Sequence, residues 1–131
     1  LGDNFFESNP ISGTKFDLEN FDKGCSIFTY EVDNPSDFGV AVYDSEGNVS
    51  SIEEKPEKPK TNKAIVGIYI YDNTVIEKIE TLKPSSRGEY EITDLNNLYI
   101  SENSCRSIDI KGWWIDAGTP ERIKELESKL I

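Results

Sequence analysis

At 131 residues the chain has room for one domain with a real core, and 36% hydrophobic with 11% aromatic residues excludes general disorder despite 30% charged residues. The formal net charge of -11 argues against nucleic-acid binding, whose affinity comes from Lys and Arg on phosphates, and no basic run is present. No apolar run approaches the ~20 residues of a membrane span and no signal peptide is visible, so the expectation is a soluble cytoplasmic protein without membrane contact.

The chain opens Leu1-Gly2-Asp3-Asn4, an apolar residue running into polar ones, as at the end of a strand whose beginning is missing. With no Met anywhere, the expectation is a piece of a longer protein. Phe5 to Gly24 shows no sustained period and reads as a loop with one short helix around Leu18–Phe21. Ser26–Val32 is β-branched and aromatic, hence a strand, and Asp33-Asn34-Pro35-Ser36 is turn chemistry. Phe38–Tyr43 and Val49–Glu53 form a hairpin, with Gly47 suited to positive φ. Val49 and Ile52 differ in parity, which predicts a bulge. Ala64–Tyr71 is nearly all apolar, as in a central strand covered on both faces.

Asp72-Asn73-Thr74 then supplies capping residues for a helix carrying Val75, Ile76, Ile79 and Leu82. After the loop Pro84–Gly88, Glu89–Ser101 reads as a helix with Ile92, Leu95 and Tyr99 on one stripe. Cys105–Ile110 and Gly112–Asp116 read as strands. Thr119 is an N-cap with Pro120 at the first turn, and Ile123, Leu126 and Leu130 line one face of the final helix. Strands interspersed with helices, one pair of them an antiparallel hairpin, predict an α/β fold with a mixed sheet.

Several polar residues fall where chemistry is plausible. Alternation puts Ile65, Gly67, Tyr69 and Tyr71 on one side of the central strand. Gly67 there signals either a closely packed helix or a ligand lying across it. Glu54-Lys55 ends the hairpin: the carboxylate can accept sugar hydroxyls and the ammonium can face a phosphate, or both are simply solvated. Arg87-Gly88-Glu89 is open to the same two readings. Asp3 and Asp116 each follow an apolar segment. Asp116 suits a helix or turn cap, yet two such carboxylates converging would also suit Mg²⁺, which takes one or two carboxylates plus substrate phosphates. Trp114 projects to the same side as Asp116, for stacking or for the core. Cys25 and Cys105 fit no metal or redox spacing and read as reduced, buried thiols. The absence of His removes the commonest general base.

Taken in order, "LGDN", "VDNPSDFGVAVYDSEGNVSSIEEKP", "AIVGIYIYD", "KPSSRGEYEITDLNNLYI" and "WWIDAGTPERI" resemble the sugar-1-phosphate nucleotidylyltransferases, with the likeness greatest to the glucose-1-phosphate thymidylyltransferase group. The resemblance implies the C-terminal portion of a Rossmann-like three-layer α/β/α fold. It implies the Mg²⁺-dependent reaction of a nucleoside triphosphate (dTTP or UTP) with glucose 1-phosphate, giving nucleotide-glucose and pyrophosphate, by a protein that is often a homo-oligomer. By the same resemblance Asp3 and Asp116 hold Mg²⁺, Lys55 faces the sugar phosphate and Glu54 the sugar hydroxyls. Gly39, Ile65, Gly67 and Tyr69 line the sugar pocket, Arg87 lies near the phosphates with Lys55 as a catalytic cation, and Trp114 stands beside the metal-binding Asp116. The family's Gly-rich nucleotide loop precedes the LGDN strand and is not in this sequence, so residues 1–131 represent the sugar-phosphate and metal half. On that ground this chain alone is expected to be inactive. The alternative is a non-catalytic sugar-phosphate-binding or regulatory module.

Overall fold

The computed structural model describes residues 3–131. Its elements are β1 (Asn4–Phe6), β2 (Cys25–Glu31), a 3₁₀ turn (Pro35–Asp37), β3 (Gly39–Tyr43), β4 (Val49–Glu54), β5 (Lys63–Tyr71), α1 (Val75–Thr81), α2 (Ile92–Ser101), β6 (Cys105–Asp109), β7 (Trp114–Asp116) and α3 (Pro120–Leu130). Five strands form one sheet in the order β4-β3-β5-β2-β6, and β1 pairs with β7 in a separate ribbon. Among the described residues only β2 and β6 run parallel; the other pairs are antiparallel. The α/β class with a mixed sheet is therefore as the sequence predicts.

Alternation on the two central strands divides the core. Ile27, Ala41 and Ile52 pack beneath Leu95, Tyr99 and Ile100 of α2. Phe28, Ala64 and Val66 face the other way, against Ile110 and Trp114, with Phe6, Ile11 and Phe16 beside them. Ile27, Phe28, Ala64 and Val66 are all fully buried, so both faces of β2 and of β5 are covered at these positions.

The hairpin bulge is present. Val42 pairs with Ser51 but Tyr43 with Val49, so Ser50 is the extra residue, and its hydroxyl donates to the Val42 carbonyl at 3.2 Å. Gly47 closes the turn at φ +85°, while the Asp44 carboxylate accepts from the Glu46 and Asn48 amides at 2.9 Å each.

Elsewhere the structure corrects the sequence. No helix forms at Leu18–Phe21; those residues make a turn, with Leu18 exposed. Asn4–Phe6 is a strand, held by β7, where the sequence predicts loop from Phe5 onward. α2 begins at Ile92 rather than Glu89, because Gly88 at φ +75° and the Ser85–Glu89 backbone hydrogen bond fold the preceding residues into a tight loop. Val75 of α1 and Leu82 just after it pack inward, while Ile76 and Ile79 stay exposed. Of the predicted α3 stripe only Leu126 is buried, since the helix lies mainly on three-residue β7. Cys25 and Cys105, remote in sequence, sit directly opposite each other on β2 and β6. Their mutual hydrogen bond and burial push the Cys25 thiol well above its ordinary range.

Candidate functional site

The sheet opens where β3 leaves β5. The two strands pair only at Val40–Ala64, and the β2–β5 register is irregular between Ile27 and Thr29, opposite Gly67. Around Gly67 the sheet pairing of β5 is thus interrupted, and a cleft of about 310 Å³ forms there. Its walls include Gly39, Ile52, Glu54, Lys55, Ile65, Gly67 and Tyr69 from the sheet, Ile92, Thr93 and Asn96 from α2, and Asp3, Asn4, Trp114 and Asp116 from the β1–β7 ribbon. Nine of the ten predicted site residues thus line one cleft: Asp3, Gly39, Glu54, Lys55, Ile65, Gly67, Tyr69, Trp114 and Asp116.

The glycines make room for side chains of this same site. A Cβ on Gly39 would stand 2.9 Å from Glu54 Oε2, so that carboxylate lies across the glycine. A Cβ on Gly67 would stand 2.9 Å from Asn4 Nδ2. Asn4 is fixed there by two donors: its Oδ1 accepts from the Gly67 amide at 3.1 Å and from the Trp114 indole at 2.7 Å. Gly67 therefore marks close approach by something else, and the first occupant is Asn4. Trp114 is buried, tilted against Phe38 at 5.3 Å between ring centres, and acts on the cleft chiefly by holding Asn4.

Lys55 follows β4 in the left-handed region at φ +43°, a costly conformation for a long side chain that recurs at functional positions. Its amide donates to the Phe38 carbonyl at 3.0 Å, which bolts the turn to the start of β3. Among the described residues no carboxylate pairs with its ammonium. Tyr69 reports the neighbouring acid: burial, and then the negative charge of Glu54, raise its phenol above the usual value.

The ribbon register places Asn4 opposite Asp116, and Ala117 donates to the Asp3 carbonyl at 2.8 Å. Asp3 and Asp116 are thereby neighbours. Measured from the point where a Cβ on Gly118 would sit, Asp116 Oδ1 is 3.2 Å away and Asp3 Oδ2 3.4 Å. Each carboxylate is braced through its other oxygen. Asp3 Oδ1 accepts from Asn4 Nδ2 at 3.2 Å, and Asp116 Oδ2 from Arg122 Nη1 at 3.2 Å. Two oxygens converging beside a glycine suit a hard divalent cation completed by substrate oxygens. Among the described residues no group of three or more His, Cys, Asp or Glu side chains gathers as a metal cluster.

Arg87 is the predicted site residue that the structure does not bring to the cleft. It sits exposed in the loop before α2, ion-paired with Glu91 at 2.8 Å and with Glu89 at 3.6 Å.

A family model described as nucleotidyl transferase matches residues 2–131. The chain belongs to that family. A glucose-1-phosphate thymidylyltransferase of Neisseria meningitidis is 41% identical over 131 residues, covering 98% of this chain and 45% of that protein. One of Mycolicibacterium smegmatis is 44% identical over 122 residues, 91% of this chain and 42% of that protein. The chain thus spans less than half the length of these curated relatives. Among solved structures, a Bacillus anthracis chain assigned as a glucose-1-phosphate thymidylyltransferase, in complex with a sucrose, is 40% identical with a TM-score of 0.86, over 98% of this chain and 52% of that one. A UDP-glucose pyrophosphorylase complexed with UDP-glucose, 23% identical with a TM-score of 0.70 over 82% of this chain, shares the fold.

Within this nucleotidyl transferase domain, sequence reasoning missed Asn4, Asp37, Asn96 and Arg122. Asn96 is almost fully buried, and its Oδ1 accepts from the Tyr71 hydroxyl at 2.6 Å, tying α2 to β5 beside the cleft. The only available signal was polarity at a core position of α2. For Asn4 it was adjacency to Asp3.

Proposed function

We propose that a protein carrying this domain is a Mg²⁺-dependent sugar-1-phosphate nucleotidylyltransferase, which joins glucose 1-phosphate to a nucleotidyl group from dTTP or UTP and releases pyrophosphate. The carrying observation is the approach of Asp3 and Asp116 at one end of a cleft whose other walls are Glu54, Lys55 and Gly67. The charge of that cleft supports a cation. Asp3, Asp37, Glu54 and Asp116 line it against Lys55, with Arg122 pairing Asp37 and Asp116 from behind, a balance still negative and unfavourable to two phosphorylated substrates unless a divalent ion offsets it. No helix among the described residues is long and apolar enough to cross a membrane, and the cytoplasm, which supplies nucleoside triphosphates, is the compartment we assign.

The residues divide the work. Glu54 accepts hexose hydroxyls across Gly39, while Ile65 and Tyr69 form the wall on which the ring lies. Lys55 meets the 1-phosphate as a point charge. A phosphate oxygen of the sugar attacks the α-phosphorus of the triphosphate, a new P–O bond forms, and the bond to pyrophosphate breaks. The attacking oxygen is already anionic at neutral pH, so no base is required, consistent with a chain that has no His. Catalysis then rests on alignment and charge neutralisation. Mg²⁺, when bound, supplies charge compensation for the phosphates, and Asp3 and Asp116 are the residues that hold it.

Calorimetric titration of the protein at its full natural length with glucose 1-phosphate and with glucose tests this reading. The phosphate should improve affinity at least tenfold, as charge-assisted contacts worth about 1.5–3 kcal/mol require, and Lys55→Ala should remove most of that gain. Equal binding of both sugars, or no effect of Lys55→Ala, refutes it. The second reading is a non-catalytic sugar-phosphate-binding or regulatory module. Pyrophosphate release by the full-length protein excludes it. Residues 1–131 alone are expected to release none.

A further inference from the structure

Arg122 lies on the first turn of α3 and faces away from the cleft. It lines a separate cavity of about 240 Å³, which Phe38, Trp114 and Asp116 divide from the first. From that side its guanidinium makes a fork. Nη1 donates to Asp116 Oδ2 and Nη2 to Asp37 Oδ2, each at 3.2 Å. The guanidinium carbon also lies 4.4 Å from the centre of the Phe38 ring, and the Arg122 side chain is 18% exposed. Thr119 fixes the turn, accepting from the Arg122 amide at 3.4 Å.

This geometry leaves Asp116 Oδ1, which also accepts from the Gly118 amide at 3.2 Å, as the oxygen on the Asp3 side. We propose that Arg122 is a positioning residue: it sets the Asp116 carboxylate for a divalent cation and ties it, through Asp37 and Phe38, to the Gly39 edge of the sugar cleft. The proposal rests on the functional reading above, in which Asp3 and Asp116 bind that cation. A plain cation beside a metal-binding carboxylate would oppose metal binding. A planar fork instead restricts the carboxylate to one rotamer, and an outer partner of this kind contributes about 10- to 100-fold to metal affinity. The two effects have opposite signs, so experiment separates them.

The probe is Mn²⁺ titrated into the full-length protein, with the free ion followed by electron paramagnetic resonance. Asp116→Asn serves as the reference, and melting curves as the check on folding. Arg122→Lys keeps the charge but cannot span both carboxylates; Mn²⁺ affinity should fall about tenfold. Arg122→Gln removes the charge, and affinity should also fall. Asp37→Ala removes only the far arm; it should weaken Mn²⁺ binding about threefold, with no further loss when added to Arg122→Lys. Unchanged Mn²⁺ affinity in Arg122→Lys, tighter binding in Arg122→Gln, or additive losses in the Asp37→Ala pair would each overturn the proposal while Asp116→Asn still loses the metal. If Asp116→Asn binds Mn²⁺ as the natural protein does, the functional reading fails and the proposal with it. Should Arg122→Lys not fold, Asp37→Ala alone decides: unchanged affinity there overturns the role.

Discussion

Replacing Gly67 by Ala should destabilise the domain through a single named contact. The new Cβ would lie 2.9 Å from Nδ2, 3.0 Å from Cγ and 3.1 Å from Oδ1 of Asn4. Asn4 can retreat only by giving up its bonds from the Gly67 amide at 3.1 Å and the Trp114 indole at 2.7 Å. Trp114 is 6% exposed, so its stranded N–H costs about 1–3 kcal/mol. Ala recovers about 0.4–1 kcal/mol by restricting the unfolded chain. The net loss is about 1–2 kcal/mol, which for a urea slope near 2 kcal/mol per molar is a midpoint lowered by roughly 0.5–1 M. Urea unfolding followed by tryptophan fluorescence reads this directly. Asn4→Ala should cost a similar amount, and adding Gly67→Ala to it should be neutral or slightly stabilising, because the clash has gone. A Gly67→Ala protein as stable as the parent, or one equally damaged with Asn4 already truncated, would refute the reasoning.

Other substitutions separate stability from binding. Gly39→Ala meets only the far end of Glu54, 2.9 Å from Oε2, so its urea midpoint should barely move while hexose affinity by calorimetry falls several-fold. Lys55→Gly relieves a left-handed residue at φ +43° and should raise stability by about 0.5–1 kcal/mol, yet abolish the advantage of the sugar phosphate over the free sugar; lower stability would contradict the strain. Asp72 works in acid. Burial alone would raise its carboxyl, but hydrogen bonds from Thr74, the Gly24 amide and Tyr99 outweigh it and hold it at about 2, below the usual 3.8. The ionised form is thus favoured by folding: its stabilisation is present above pH ~4 and is lost as pH falls toward ~2. Asp72→Asn should lower stability at neutral pH and flatten that acid limb in pH-dependent melts; an unchanged limb would remove Asp72 as its source.

What the sequence disclosed follows the range of the interactions. Parity on β5 placed Ile65, Gly67 and Tyr69 on one face, and that face lines the cleft. The parity break between Val49 and Ile52 announced the bulge at Ser50. Both are local properties of a pleated strand. Nine of the ten residues singled out by the order of motifs line one cleft, because that order carried the fold with it. Arg122 was illegible: its partner Asp37 is 85 positions away, and an Arg one turn into a helix looks like any solvated side chain. Arg87 stands outside the cleft lining, paired with Glu91 one turn later. Stripes on α1 and α3 overstated burial because short helices cover little: Ile79 and Ile123 each remain 45% exposed. The Cys25–Cys105 pair needed the parallel β2–β6 register, which no spacing encodes.

Crystals of the full-length protein soaked with Mn²⁺ and glucose 1-phosphate, measured at the manganese absorption edge, test the convergence of the two acids most directly. A single anomalous peak within direct bonding distance of both Asp3 Oδ2 and Asp116 Oδ1, with the sugar phosphate within reach of Lys55, is the predicted result. Manganese bound elsewhere, or a sugar phosphate lying outside the Gly67 cleft while the protein turns over, would contradict it.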